Sequence, residues 1–326
     1  TPETGATMVR VAPSFIRFGS FQFFAHSNQH EALTRLLDFT VQEHFPECSE
    51  LSLSVEQKAV HLLATTVKTT ALMIAQWQAV GFAHGVMNTD NMSVLGLTLD
   101  YGPFGFLDAF DPHFICNHSD HSGRYAFDEQ PSVAFWNLCR FAESLLPLAN
   151  KELLGEPLAT FEAQIVAEYA RLMRAKLGFN EAQADDRQLF TQWQQLMANN
   201  AADYTRSFRA LSNVNVNSDD TEQQLLNEFA DRDSAKAWLA LWRERLALEA
   251  CTDLARQAQM KRANPKYVLR NYLAQQAISQ AEAGDFTEFE RLHDLLRRPF
   301  DEQSENEHYA ALPPDWGRGL EISCSS

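Results

Sequence analysis

His84-Gly-Val-Met-Asn-Thr-Asp-Asn91 and, nine positions beyond Asn91, Asp100-Tyr-Gly102 decide how this chain is read. The first segment ends on an adjacent carboxylate and amide, Asp90 and Asn91, and the second opens on the carboxylate of Asp100. Oxygen donors of this kind suit Mg²⁺, which takes one or two side chains and keeps several waters. An Asp-Asn pair alone reads as a turn. Upstream, Ser54-Val-Glu-Gln57 predicts a capping box that opens a long helix to about Phe82. Val60, Leu63, Ala64, Val67, Ala71, Ile74 and Ala75 give that helix one apolar face. Downstream, Met92–Leu99 alternates weakly through Val94, Leu95, Leu97 and Leu99, which predicts a short hairpin.

Long helix, polar loop, two short strands and Asp-Tyr-Gly follow one another in the order and spacing of a protein-kinase catalytic loop and its metal-binding Asp-Phe-Gly. One position departs. Where a kinase has its catalytic aspartate, this chain has Val86, which cannot accept a proton. His84 reads as a residue that holds the loop by hydrogen bonds. Both metal positions, Asn91 and Asp100, are present, so the loop predicts a kinase-like site used for other chemistry. The expected fold class is mainly α: a protein-kinase-like large (C-terminal) lobe, a short β-hairpin at the active site and a helical C-terminal extension.

The 326 residues suffice for one large domain or two modest ones, and 45% hydrophobic with 21% charged residues is a globular composition. The expected division is 1–150 for the catalytic lobe and 151–326 for a helical part packed on it, with 299–326 an extended tail. Net charge is −16, from 43 acidic against 27 basic residues. Such a surface repels nucleic acid and anionic membranes. No apolar run is long enough for a membrane helix. The first residues carry neither a basic nor an apolar signal region, and the expected location is cytoplasmic. Five cysteines without a Cys-x-x-Cys pair do not form a disulfide framework.

Helices are expected at 27–45, from Pro131 to Leu146, and then about 157–178, 185–199, 203–212, 219–230, 232–249, 252–262, 265–283 and 286–298. Residues 103–130 have no sustained period and read as an ordered irregular segment. Its aromatic residues, Phe104, Phe106, Phe110, Phe114, Tyr125 and Phe127, read as packing. His113, His118, Asp120 and His121 lack the spacing of common zinc motifs and read as hydrogen-bonded loop residues.

The run from Gly81 to Pro131 resembles the selenoprotein O family, and so do Arg10-Val-Ala-Pro-Ser-Phe-Ile-Arg17, Asn264-Pro-Lys-Tyr-Val-Leu-Arg-Asn271, Pro313-Pro-Asp-Trp316 and the terminal Cys324-Ser-Ser. The resemblance implies a pseudokinase that transfers AMP from ATP to hydroxyl side chains of proteins, with the nucleotide inverted relative to ordinary kinases. It implies Asp90 as proton acceptor, Asn91 and Asp100 as ligands of Mg²⁺ (Mn²⁺ as the alternative), and Arg10 and Arg17 as contacts to the phosphates. Two guanidiniums beside a triphosphate act as bidentate clamps. Seven positions apart, the two arginines would share a helix face, and a loop followed by a turn serves equally well. The family's small ATP lobe belongs before Arg10 and no glycine-rich phosphate loop is found there, so the chain is expected to be a C-terminal fragment, incomplete for catalysis alone, with the missing lobe as a partner. Cys324 sits where some relatives carry selenocysteine, and pairing with Cys116 under oxidation is a further expectation. A non-catalytic pseudokinase scaffold is the alternative to the enzyme, and a metal hydrolase on the histidine cluster a weaker third.

Overall fold

A computed structural model describes residues 7–46, 52–318 and 320. It is mainly helical. The chain forms two compact units that interleave in sequence: one takes the chain through Thr70, Asn88–Asp100 and Trp136–Thr160, the other Ala71–Met87, Tyr101–Phe135 and the chain from Phe161 onward. Among the described residues, no helix is long and apolar enough to cross a membrane.

In the first unit, α1 (Phe18–His26) and α2 (His30–His44) pack on each other. The helix expected over 27–45 is α2; α1 lies ahead of it, outside that expectation, and Asn28, at φ 55, turns the chain between the two. The long helix α3 (Val55–Val80), whose part through Thr70 belongs here and whose remainder belongs to the second unit, begins where the capping box predicts. Gln57 Oε1 accepts the Ser54 N–H at 2.9 Å, and Ser54 Oγ accepts the Gln57 N–H at 3.2 Å. These bonds satisfy N–H groups that the helix itself cannot. Leu63, Val67, Ala71, Ile74 and Ala75 are buried as expected, together with Leu62, Thr66, Thr70 and Met73, so the helix is buried on more than one stripe. The unit closes with α4 (Gln130–Leu145), whose part from Trp136 belongs here, and α5 (Lys151–Leu158). Asn150 caps α5 by accepting the Glu152 N–H at 2.9 Å. Phe141 stacks on Phe18 at 4.8 Å between ring centres and meets Phe21 edge-on at 5.2 Å.

The second unit is built around tryptophans on α7 (Asp186–Asn199) and α10 (Arg232–Leu246), with α6 (Phe161–Leu177), α8 (Tyr204–Leu211), α9 (Gln223–Leu226) and α11 (Asp253–Ala263) closing the core. Trp193 and Trp238 lie 4.4 Å apart. The indole N–H of Trp238 donates to Leu189 O and that of Trp242 to Leu177 O, as buried indoles require. A smaller cluster joins α12 (Asn271–Glu282) and α13 (Thr287–Leu296) through Tyr272, Leu273, Leu292 and Leu295.

Three expectations need correction. The predicted hairpin at Met92–Leu99 reduces to one antiparallel bridge, Met92 with Thr98. The ladder is instead β1 (Phe82–Ala83) with β2 (Gly105–Phe106), pairing the residues that flank the loop. The helix expected from 265 begins at Asn271, because the N–H groups of Lys266 and Tyr267 bond to Pro299 O and hold that stretch extended. The region 219–230 forms a 3-10 turn at Asp219–Thr221 and a single turn at Gln223–Leu226. Beyond Pro299 the chain carries 3-10 turns at Ser304–Ala310 and Asp315–Gly317, and Trp316 meets Tyr272 edge-on at 6.0 Å.

Candidate active site

The first unit holds all five predicted site residues, Arg10, Arg17, Asp90, Asn91 and Asp100. Residues 16–18 run antiparallel to residues 92–94: Phe18 N–H donates to Met92 O at 2.9 Å, Val94 N–H to Ile16 O at 3.2 Å, and Arg17 pairs with Ser93. Thr66 on α3 donates to Val94 O at 3.1 Å, and Gly96, at φ +66, lies against Thr69. The loop is thus fastened on one side to α3 and on the other to the entry of α1. Arg17 is the residue before α1, extended at φ −119 and ψ 163, and its own N–H donates to Ser20 Oγ at 3.3 Å. A common helix face for Arg10 and Arg17 is therefore ruled out, since no helix precedes Phe18 among the described residues.

Thr89–Asn91 forms a 3-10 turn packed on the first turn of α1. It buries Asn91 and leaves Asp90 exposed, with the Asp90 carboxylate seated directly over Gly19. Asp100 sits in the left-handed region at φ 59. Aspartate tolerates that conformation better than most residues, at a cost of roughly 1 kcal/mol or more. Among the described residues, the side chains of Arg10, Arg17, Asp90 and Asp100 make no hydrogen bond or ion pair. The rest of the chain pairs its charges widely, as in Arg206 with Glu228 at 2.7 Å and Arg245 with Asp186 at 2.6 Å. The structure therefore brings Arg17, Asp90 and Asn91 together through the pairing of 16–18 with 92–94, and no hydrogen bond or ion pair joins Arg10 or Asp100 to them.

Asn91 and Asp100 are of the donor types that a hard divalent cation takes, an amide on a buried turn and a carboxylate without a hydrogen-bond or ion-pair partner among the described residues. Sequence reasoning missed helix α1 and with it Gly19. The available signal was Arg17-Phe-Gly-Ser20, in which a serine three residues past the arginine closes the first turn.

The second unit holds His84 and Gly85. His84 is buried with its ring stacked on Trp77 at 5.2 Å. Its N–H donates to Gln130 Oε1 at 2.9 Å, Gln130 Nε2 donates to Phe82 O at 2.9 Å, and its Nδ1 accepts the Val86 N–H at 3.4 Å. The histidine thus holds the loop. Gly85, at φ +81, lets the chain turn over Cys116: a Cβ there would stand 2.7 Å from the Cys116 sulfur. Asn117 Nδ2 donates to Gly85 O at 3.1 Å. Burial pushes the Cys116 thiol up to about 12, which disfavours the thiolate needed for disulfide exchange. Cys324, the expected partner, lies outside the described residues, as does Cys48. In the histidine-rich loop, Asp120 accepts backbone N–H groups of Arg124 and Tyr125, and His113 contacts Asp128 at 2.9 Å. The segment's aromatics pack, Phe104 and Phe106 on Phe82 and Phe110 on Tyr204.

Arg270, from the Asn264–Asn271 motif, is 2% exposed and bonds both Asp108 and Asp203. Burial raises the Asp108 carboxyl above its usual range, with Arg270 opposing.

A profile of the family described as protein adenylyltransferase SelO matches residues 1–297 of this chain. A protein nucleotidyltransferase YdiU of Thioalkalivibrio sulfidiphilus is 53% identical over 330 residues, which cover 99% of this chain and 66% of that protein. The protein of the same name from Myxococcus xanthus is 50% identical over 324 residues, again 99% of this chain and 66% of its own length. That of Aliivibrio salmonicida is 49% identical, over 99% and 65%. The chain thus spans slightly less than two thirds of the curated relatives it matches. With a profile match across most of its residues and identities near one half, the chain belongs to the SelO family of protein adenylyltransferases.

Proposed function

We propose that this chain carries the metal-binding and phosphate-binding part of a protein adenylyltransferase, on a kinase-like large lobe, which moves AMP from ATP to the hydroxyl of a Ser, Thr or Tyr side chain of another protein. The observation that carries the reading is the gathering of Arg17, Asp90 and Asn91 by the pairing of residues 16–18 with 92–94, with the charges of Arg17, Asp90 and Asp100 left without partners among the described residues. The names of the relatives, which speak of nucleotidyl transfer, support the same class of chemistry.

In this reading the substrate hydroxyl oxygen bonds to the α-phosphorus of ATP. The bond from that phosphorus to the oxygen bridging to the β-phosphate breaks, pyrophosphate leaves, and the hydroxyl proton passes to Asp90. Asn91 and Asp100 hold Mg²⁺ or Mn²⁺, and when bound the cation neutralises phosphate charge. Arg10 and Arg17 grip phosphate oxygens with paired N–H groups, fixing which phosphorus faces the hydroxyl. Val86 offers no proton acceptor, so phosphoryl transfer of the kinase kind is not expected at this loop.

The test uses the full-length protein with Mg²⁺ and ATP labelled at either the α- or the γ-phosphate. Protein-bound label from the α-position alone supports the proposal. Label from the γ-position alone makes the protein a kinase, and neither transfer nor nucleotide binding leaves the scaffold reading in its place.

A further inference from the structure

Gly19 is the second residue of α1, and its backbone is helical, so the conformation itself asks for no glycine. In a helix, alanine is favoured over glycine by up to about 1 kcal/mol. The reason for glycine is steric. A Cβ at position 19 would lie 1.8 Å from Asp90 Oδ1, 3.0 Å from Asp90 Cγ and 3.4 Å from Asp90 Cα. The first distance is far inside van der Waals contact, so no side chain fits while the carboxylate keeps its place. The backbones cannot drift apart to make room, because the bonds Phe18 N–H to Met92 O and Val94 N–H to Ile16 O pin them beside the contact. The yielding part is the exposed Asp90 side chain.

The seat also has an electrostatic sense. Helix α1 has no acidic residue in its own first turn. Asp90 brings a carboxylate to the end where N–H groups lack intrahelical acceptors and the helix dipole is positive.

We infer that Gly19 is a positioning residue for Asp90: it leaves the space in which the carboxylate stands, and any side chain at position 19 turns that carboxylate away from the reacting hydroxyl. The functional half of this inference rests on Asp90 being the proton acceptor proposed above. The steric half does not.

The experiment is a double-mutant cycle in the full-length protein with Gly19→Ala, Asp90→Ala and the double variant. It is read by thermal melting, by steady-state AMP transfer and by a crystal structure of Gly19→Ala. The Asp90 carboxylate is expected to leave its wild-type rotamer. The rate kcat should fall tenfold or more while KM for ATP stays within twofold, since the phosphate contacts are untouched. Gly19→Ala should raise Tm in the Asp90→Ala background, where the carboxylate is gone and alanine's helix preference shows, and raise it less or lower it in the wild-type background. An unmoved carboxylate, or an equal change in Tm in both backgrounds, overturns the seat. A moved carboxylate with unchanged kcat overturns the positioning role. If Asp90→Ala transfers AMP as fast as wild type, the proton-acceptor reading fails, and the melting cycle still judges the seat.

Discussion

Replacing Arg270 with alanine should be among the most damaging single changes outside the proposed active site. Its guanidinium is 2% exposed, bonds Asp108, and reaches Asp203 Oδ2 at 2.8 Å and Oδ1 at 3.1 Å. Asp203 is itself 4% exposed and caps α8 by accepting the Arg206 N–H at 2.9 Å. Removing the arginine leaves two neighbouring carboxyls without their shared cation, one fully enclosed. Breaking a buried pair from one side costs about 3–5 kcal/mol, chiefly through the stranded charge. At about 2–4 °C per kcal/mol for a domain of this size class, Tm should drop by roughly 6–20 °C. Arg270→Lys keeps the charge but loses the planar fork, so its drop should be smaller yet clear. The double variant Arg270→Met with Asp203→Asn should recover part of the loss, because the uncompensated charge goes with the arginine. Calorimetric melting at neutral pH is the assay. An Arg270→Ala protein melting within 2 °C of wild type would mean that the shared cation contributes little to stability.

Asp100→Ala should abolish AMP transfer at a small cost in Tm: the carboxylate has no partner among the described residues, but alanine tolerates the φ of 59 less well than aspartate; transfer and melting assays check both. Gly85→Ala should lower Tm, because the new Cβ meets the Cys116 sulfur and Pro103 O at 2.7 Å in a positive-φ turn. Lys176 is buried with its ammonium 4.0 Å from the Phe208 ring centre, and burial lowers it to about 7. A lysine lowered from 10.5 takes up fewer protons folded than unfolded, so stability should rise with pH between about 7 and 10.5, and Lys176→Met should flatten that slope and stabilise the protein at pH 7 by about 1–4 kcal/mol. Glu302 runs the other way: burial raises it, but bonds from Lys266 and Arg209 overcome that and lower it to about 2. The stabilisation is present above about 4.5 and lost as pH falls toward about 2, so Glu302→Gln should be less sensitive to acid over that window in melting scans.

What the sequence made legible was local and periodic. The start of α3 could be read because Ser54 and Gln57 cap it reciprocally, and the loop-holding role of His84 followed from its place in the loop. Helix α1 could not be read from periodicity, since its nine residues, Phe-Gly-Ser-Phe-Gln-Phe-Phe-Ala-His, mix buried Phe18 and Phe21 with exposed Phe23. The misplaced hairpin has a similar cause. Met92–Leu99 has the alternation of strands, but its polar groups are taken by α3 and by residues 16–18, and the ladder forms between Phe82–Ala83 and Gly105–Phe106, more than twenty residues apart in sequence. The start of α12 was set by Pro299 O, a long-range acceptor no local pattern announces. The candidate site was legible as a spacing of residue types; the contact between Asp90 and Gly19, across two segments far apart in sequence, was not.

The most direct test of the account is transfer of label from α-labelled ATP to protein by the full-length enzyme, wild type against Asp90→Ala and Asp100→Ala. Stable protein-bound label is expected with wild type, and label reduced to background with either substitution. Label that persists undiminished in the Asp100→Ala protein, or that arises only from the γ-phosphate, would contradict this.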